Sequence, residues 1–101
     1  MSDNNLIYSL CQKVRQSLCN DVLYKVHQIL YILKVYPTDK NHAVIFLETD
    51  NEDILNKINN VLVNILGTSM FAYEETENQY SLDINFEDLL SLYTWLKMQY
   101  K

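Results

Sequence analysis

The first third of the chain carries an apolar stripe at helical spacing. Its apolar residues recur at steps of three or four, which is the pattern of a helix with one buried face. The polar residues 2–5 just before it suit a helix N-cap. The stripe predicts one helix from about Asn4 to Lys34, with Asn20 and Asp21 as a place where it could break and a second helix begin. Its members are Ile7, Cys11, Val14, Leu18, Val22, Val26, Ile29 and Leu33.

Residues 29–36 allow two interpretations. They extend the helical stripe, but they are also rich in β-branched and aromatic types, which favour strands. The segment 37–41 resembles a turn, and residues 43–49 form the clearest strand pattern in the chain. A hairpin that pairs 29–36 with 42–49 is therefore the preferred prediction, and the end of a long helix is the alternative.

The middle of the chain predicts a second helix over residues 51–66. Seven apolar residues fall on one face of it, and Gly67 follows at the position where a left-handed C-terminal residue is common. The predicted buried residues are Ile54, Leu55, Ile58, Val61, Leu62, Ile65 and Leu66.

The last third predicts another hairpin and a final helix. Residues 69–73 and 80–84 are the candidate strands, joined by a loop over 74–79, and the helix covers 86–100. Trp95 lies beside the apolar face of that helix. Its predicted buried residues are Phe86, Leu89, Leu90, Tyr93, Leu96 and Tyr100.

Two segments of the chain echo one another at an offset of 35 residues. Residues 50–55 align with residues 85–90, and in both an Asp or Asn follows a strand-like run and precedes a Glu-Asp pair and a helical run. The Asp or Asn suits an N-cap, and acids in the first helical turn suit the helix dipole. The echo predicts one strand-to-helix junction used twice, in a weak internal ββα pseudo-repeat.

Together these patterns predict a single α+β domain over residues 1–101. Three helices pack on a small antiparallel sheet of three or four strands, in the order helix, hairpin, helix, hairpin, helix. This element order is similar to that of the type III secretion chaperones, which are also small and acidic. That resemblance implies a homodimeric chaperone-like or assembly subunit as one candidate function.

Charge is distributed unevenly along the chain. Residues 1–40 carry a net charge of +2 and residues 41–101 a net charge of −7, which gives −5 in total. The acidic second part repels nucleic acid and acidic membrane surfaces. We therefore expect a basic protein as partner, with no direct binding of nucleic acid or membrane.

No sequence pattern supports catalysis or a bound cofactor. The single Gly leaves no phosphate-binding loop, the two His are fifteen positions apart, and Cys11 and Cys19 belong to the helical stripe. The acids at the two junctions could converge on a divalent cation if the junctions were adjacent, but capping accounts for them and no EF-hand pattern is present. We expect no catalytic residue, no metal and no cofactor.

Aromatic side chains give the best prediction of a binding surface. The chain has eight Tyr, a residue that supplies contact area at low entropic cost and is enriched in interfaces. Aromatic and acidic residues meet in one segment near the second hairpin. The predicted partner-binding residues are Phe71, Tyr73, Glu74, Glu75, Glu77 and Tyr80.

The predicted function is that of a small, acidic, non-enzymatic protein-binding domain in the cytoplasm. Immunity proteins, antitoxins and phage-encoded anti-defence proteins are similar in size and charge, and each blocks another protein. We expect the acids to steer a basic partner and the aromatic side chains to anchor it. The homodimeric chaperone-like or assembly subunit is the alternative.

Overall fold

The computed structural model describes residues 3–24, 31–68 and 74–99, with side chains from 6–24, 31–68 and 76–99. The described part contains three α-helices, a π turn and four strands. In chain order they are α1 (Asp3–Ser17), the π turn (Leu18–Val22), β1 (Ile32–Pro37), β2 (His42–Glu48), α2 (Glu52–Leu66), β3 (Glu74–Thr76), β4 (Gln79–Asn85) and α3 (Phe86–Gln99).

The four strands form one antiparallel sheet in the order β1-β2-β4-β3. The predicted α+β class, with three helices and two hairpins, is confirmed. The strand interpretation of residues 32–36 is correct and the long-helix alternative is wrong, because β1 pairs along its whole length with β2. Residues 29 and 30 of that predicted strand lie outside the described residues.

Strand register divides the sheet into an inner and an outer face. Alternate residues of β1, β2 and β4 face the helices and join one hydrophobic core with them. The outer face is mostly half-buried or exposed. The inner residues are Leu33, Val35, Ala43, Ile45, Leu47, Tyr80, Leu82 and Ile84, and the outer ones include Ile32, Lys34, Tyr36, Val44, Phe46, Glu48, Ser81 and Asp83.

A π turn ends the first helix and changes which residue is buried. The N–H of Leu23 donates to the carbonyl of Leu18 across 3.0 Å, a bond that spans five residues rather than four. The extra residue places Leu23, 2% exposed, on the core side, while Val22 is only partly buried. The helical stripe predicted Val22 at this point, so the prediction is wrong by one residue.

A short polar turn joins β1 to β2. The N–H of Asn41 donates to Oδ1 of Asp39 at 2.7 Å, and Nδ1 of His42 lies 3.0 Å from the same carboxyl oxygen. These two contacts hold the pKa of Asp39 below its usual range. Polar groups within the turn therefore bond to one another, as expected for a segment of this composition.

Both ends of α2 are formed as the sequence predicts. Oδ1 of Asn51 accepts the N–H of Ile54 at 3.0 Å, and the N–H of Asn51 donates to Oγ1 of Thr49. Gly67 has a φ of 71°, a left-handed conformation that costs glycine little, and its N–H donates to the carbonyl of Val63.

The second junction repeats this device with a shift of one residue. Oδ1 of Asn85 accepts the N–H of Asp88 at 2.8 Å, so Asn85 caps α3. Its aligned partner is Asp50, yet the cap of α2 is Asn51. The strand runs directly into α3, whereas three residues separate β2 from α2. Both junctions therefore use an Asn side chain as the helix cap, but the two caps differ by one position in the alignment.

The second hairpin differs from its prediction. Residues 74–76 form β3 rather than a loop, and the turn contains only Glu77 and Asn78. Asn78 adopts a φ of 70°, which Asn tolerates better than most residues, and this permits the tight connection. The predicted strand over residues 69–73 lies outside the described residues.

The buried side of α3 was only partly predicted. Leu89 and Leu96 are buried as expected, but Leu92 is fully buried and Leu90 is 45% exposed. The direct continuation of β4 into α3 sets the rotation of the helix, and the apolar pattern alone does not fix that rotation. Tyr100 lies outside the described residues.

Truncation of Leu92 and, separately, of Leu90 tests the rotation of α3. We expect Leu92→Ala to lower the free energy of unfolding by about 3 kcal/mol, because it opens a cavity in the core. Leu90→Ala on the same helix is the matched control and should cost less than about 1 kcal/mol. Urea unfolding measures both. Equal losses would contradict the assigned rotation.

Candidate functional site

The predicted partner-binding residues do not form one accessible surface. Tyr80 is 7% exposed and belongs to the core, where β4 places it opposite Leu47, so its assignment as a surface anchor is wrong. Glu77 is exposed in the β3–β4 turn. Tyr80 alternates with Leu82 and Ile84 on the inner face of β4, whereas Ser81 and Asp83 lie on the outer face, so this alternation was the signal in the sequence that Tyr80 is buried.

Most of the other predicted partner-binding residues lie outside the described part of the chain. Phe71 and Tyr73 lie outside the described residues, as do the side chains of Glu74 and Glu75, whose backbone belongs to β3. Only Glu77 of the predicted set is placed on the surface with its side chain described.

The structure brings other acids to the end of the sheet where Glu77 lies. The N–H of Thr49 donates to the carbonyl of Asn78 at 3.0 Å, and Nε2 of Gln79 donates to Oε1 of Glu48 at 3.0 Å. These bonds fasten the β3–β4 turn to the junction between β2 and α2. We call this region the acidic end, defined by Glu48, Asp50, Glu52, Asp53 and Glu77.

A groove of about 430 Å³ opens at the acidic end. Of the described residues that line it, two are acidic and none is basic. Tyr31 and Ile32 supply its apolar and aromatic wall, and Ile32 is an exposed large hydrophobic residue. The described lining residues are Tyr31, Ile32, Glu48, Thr49, Asp50 and Asn78.

Tyr31, which lines this groove, has a half-buried side chain. Burial raises the pKa of its hydroxyl, and the neighbouring Cys19 thiol raises it further. The hydroxyl contacts Cys19 of the π turn, which links residue 31 to the end of the first helix. The sequence pattern did not single out Tyr31, because a tyrosine at a strand entry carries no distinctive spacing.

The two acidic junctions lie at opposite ends of the sheet. β2 and β4 run antiparallel, with His42 opposite Asn85 and Glu48 opposite Gln79. The length of β2 separates the junctions by about 20 Å. Among the described residues, no group of three His, Cys, Asp or Glu side chains is arranged to hold a metal ion.

A second groove, of about 540 Å³, runs between α1 and the outer edge of β1, with which no other described strand pairs. Nε of Arg15 donates to the carbonyl of Leu33 at 2.7 Å, which ties the helix to the edge strand. Nζ of Lys34 lies 5.9 Å from the centre of the Phe46 ring. We call it the edge groove, and its described lining residues are Tyr8, Gln12, Arg15, Lys34, Val35, Tyr36 and Phe46.

The two cysteines are free, and they differ in environment. Cys11 has no solvent exposure, and burial raises the pKa of its thiol to about 11. Cys19 is partly buried near Tyr31. A thiol that is both inaccessible and protonated at neutral pH is unsuited to nucleophilic attack.

Thiol labelling checks this difference. At pH 8 a pKa near 11 leaves roughly one Cys11 thiol in a thousand ionised, so N-ethylmaleimide should modify Cys19 in the folded protein and spare Cys11. Peptide mass mapping after labelling measures the two extents, and unfolding in urea is the control that should expose both. Equal modification of the folded protein would contradict the burial of Cys11.

Comparison of the chain with protein-family models, with curated proteins and with solved structures finds no match in any of the three. None of the helices within the described ranges has the length and apolar character needed to cross a bilayer. Function is therefore inferred from the charge and shape of the two grooves.

Proposed function

We propose that the chain is a non-enzymatic protein-binding domain that blocks a basic partner protein in the cytoplasm, in the manner of an immunity or anti-defence protein. The acidic end supports this proposal best. Glu48 and Asp50 line a groove with an aromatic wall there, and the exposed Glu77 precedes Asn78, which lines the same groove.

Charge supports a basic partner. The acidic end concentrates part of a net charge of −5, and no basic side chain lies among the described residues of its groove. Carboxylates grouped on one surface raise the rate at which a positively charged protein meets it in the correct orientation. The same field disfavours acidic competitors, so it contributes selectivity as well as speed.

The groove also offers an anchoring contact. Tyr31 and Ile32 form an apolar patch beside Glu48 and Asp50. A Lys or Arg side chain can lay its methylene groups on such a patch while its charged end reaches the carboxylates. Contacts of this kind, aromatic and partly desolvated, supply most of the binding energy in protein interfaces.

Charge reversal at the acidic end tests the proposal. The double variant Asp50→Lys with Glu77→Lys changes two exposed acids. The matched control, Asp83→Lys with Glu87→Lys, makes the same change in net charge at exposed positions near the opposite end. Each protein is used as bait in extracts of the native host, and quantitative mass spectrometry compares what is captured.

A basic protein should be captured by the wild type and by the control variant but not by the Asp50 and Glu77 variant. Its association rate with the wild type should also fall steeply as salt increases, because exposed charges are screened. Equal capture by all three baits, or a rate that is insensitive to salt, would contradict a role for the acidic end.

A homodimeric chaperone-like or assembly subunit is the second candidate, and one surface favours it. Leu6 on α1 and Leu90 on α3 are large, exposed hydrophobic residues that line a cavity of about 190 Å³ together with Phe86 and Tyr93. Exposed apolar surface of this kind is typical of contact regions between subunits. The apolar residues Ile7, Cys11 and Val14 of α1 are buried within the chain itself, so they do not add to this exposed surface.

Sedimentation velocity distinguishes a homodimeric subunit from a monomeric binding domain. If α1 and α3 form a dimer interface, the wild type should sediment as a concentration-dependent dimer and Leu90→Glu as a monomer, because a buried unpaired carboxylate opposes association. Lys57→Glu, an exposed change on α2, serves as the control for added negative charge. A wild type that stays monomeric at all concentrations would rule out the dimer.

A further inference from the structure

The outer edge of β1, with which no other described strand pairs, has backbone groups that point away from the sheet. The N–H of Thr38 bonds to the carbonyl of His42, which marks that pair as hydrogen-bonded. Antiparallel pairs alternate between bonded and non-bonded, so the odd-numbered residues of β1 turn their N–H and C=O groups outward. The bond from Arg15 to the carbonyl of Leu33 agrees with this alternation.

Arg15 bonds to one of these edge groups, and within the described part of the chain the next outward-facing residue borders the edge groove without such a bond. The alternation turns the N–H and C=O of Val35 outward, and Val35 itself lines the groove. Pro37, which has no N–H, closes the far end of the strand. The edge is therefore protected at both ends and accessible in between, a pattern that limits unspecific pairing.

The edge groove is positively charged, whereas the protein as a whole has a negative net charge. Arg15 and Lys34 both line it, and no carboxylate lies among its described lining residues. Within the described part of the chain neither cation forms an ion pair. Gln12 and the tyrosines Tyr8 and Tyr36 add neutral hydrogen-bonding groups and aromatic surface.

We propose that the edge groove binds a short, extended, acidic segment of a partner protein, which adds to the sheet alongside β1. Main-chain hydrogen bonds at Val35 give such a segment its position, and Arg15 and Lys34 recognise its carboxylates. The aromatic side chains of Tyr8 and Tyr36 contact the residues of the segment that lie between its carboxylates.

Charge favours this occupant over two others. A second copy that pairs β1 with β1 presents the same cations on both sides, because an isologous interface places a patch against itself. Nucleic acid is a polyanion that meets the repulsion of a protein with net charge −5. A short peptide with a few acids experiences the two local cations more than the distant field.

This proposal goes beyond the blocking of a basic partner, since the two surfaces differ in charge and position. A variant at the edge groove leaves the acidic end unchanged, so the failure of one proposal does not decide the other.

The test uses a fluorescent peptide of about six residues, a common strand length, with alternating Glu and Thr. Fluorescence anisotropy measures its binding to the full chain. Lys34→Glu should weaken binding about tenfold, because it replaces an attraction with a repulsion. Lys97→Glu is the matched control, since Lys97 is also exposed and also lies 5.9 Å from an aromatic ring, and it should leave binding unchanged.

Two further probes test the mode of binding. Two peptides, each with one alternate set of backbone nitrogens methylated, keep the charges, and only the one whose methyl groups face β1 should lose binding if the segment adds as a strand. Equal binding by both methylated peptides, equal effects of the two lysine variants, no binding by the wild type, or tighter binding of an oligothymidylate would each overturn the proposal.

Discussion

β2 and β4 lie side by side at the centre of the sheet, although Glu48 and its partner Gln79 are 31 positions apart in the chain. Their pairing joins the two ββα halves and places the inner residues of both strands in one core. It also sets the position of everything at the strand ends. The β3–β4 turn reaches Thr49 because of this register, and the two helix caps lie at opposite ends because the strands are antiparallel.

The acids of this protein serve first as parts of its architecture. In each junction an Asn side chain caps the helix and a Glu-Asp pair occupies the first turn, where the dipole favours negative charge. Because the junctions are far apart, their carboxylates do not converge. Those of the α2 junction instead meet the exposed Glu77 of the neighbouring turn, which makes one end of the molecule acidic.

One-sided packing gives the molecule its two grooves. The helices share a core with the inner face of the sheet, so the outer face and the β1 edge keep their aromatic and charged side chains near solvent. Arg15 links α1 to the edge of β1 and brings positive charge beside Lys34. The acidic end lies beyond the last residues of β2. One small domain with a single core therefore presents two surfaces of opposite charge.

Local spacing and backbone chemistry are enough to predict, from residue order alone, the fold class, the α2 helix with both of its ends, and the use of one capping device at two junctions. Tertiary structure decided what local spacing does not contain. The π turn moved burial from Val22 to Leu23, and the entry from β4 rotated α3 toward Leu92. The burial of Tyr80, by contrast, follows its alternation with Leu82 and Ile84, which the sequence already shows. Both grooves depend on residues from separate elements, so only the packing of helices and strands could assemble them.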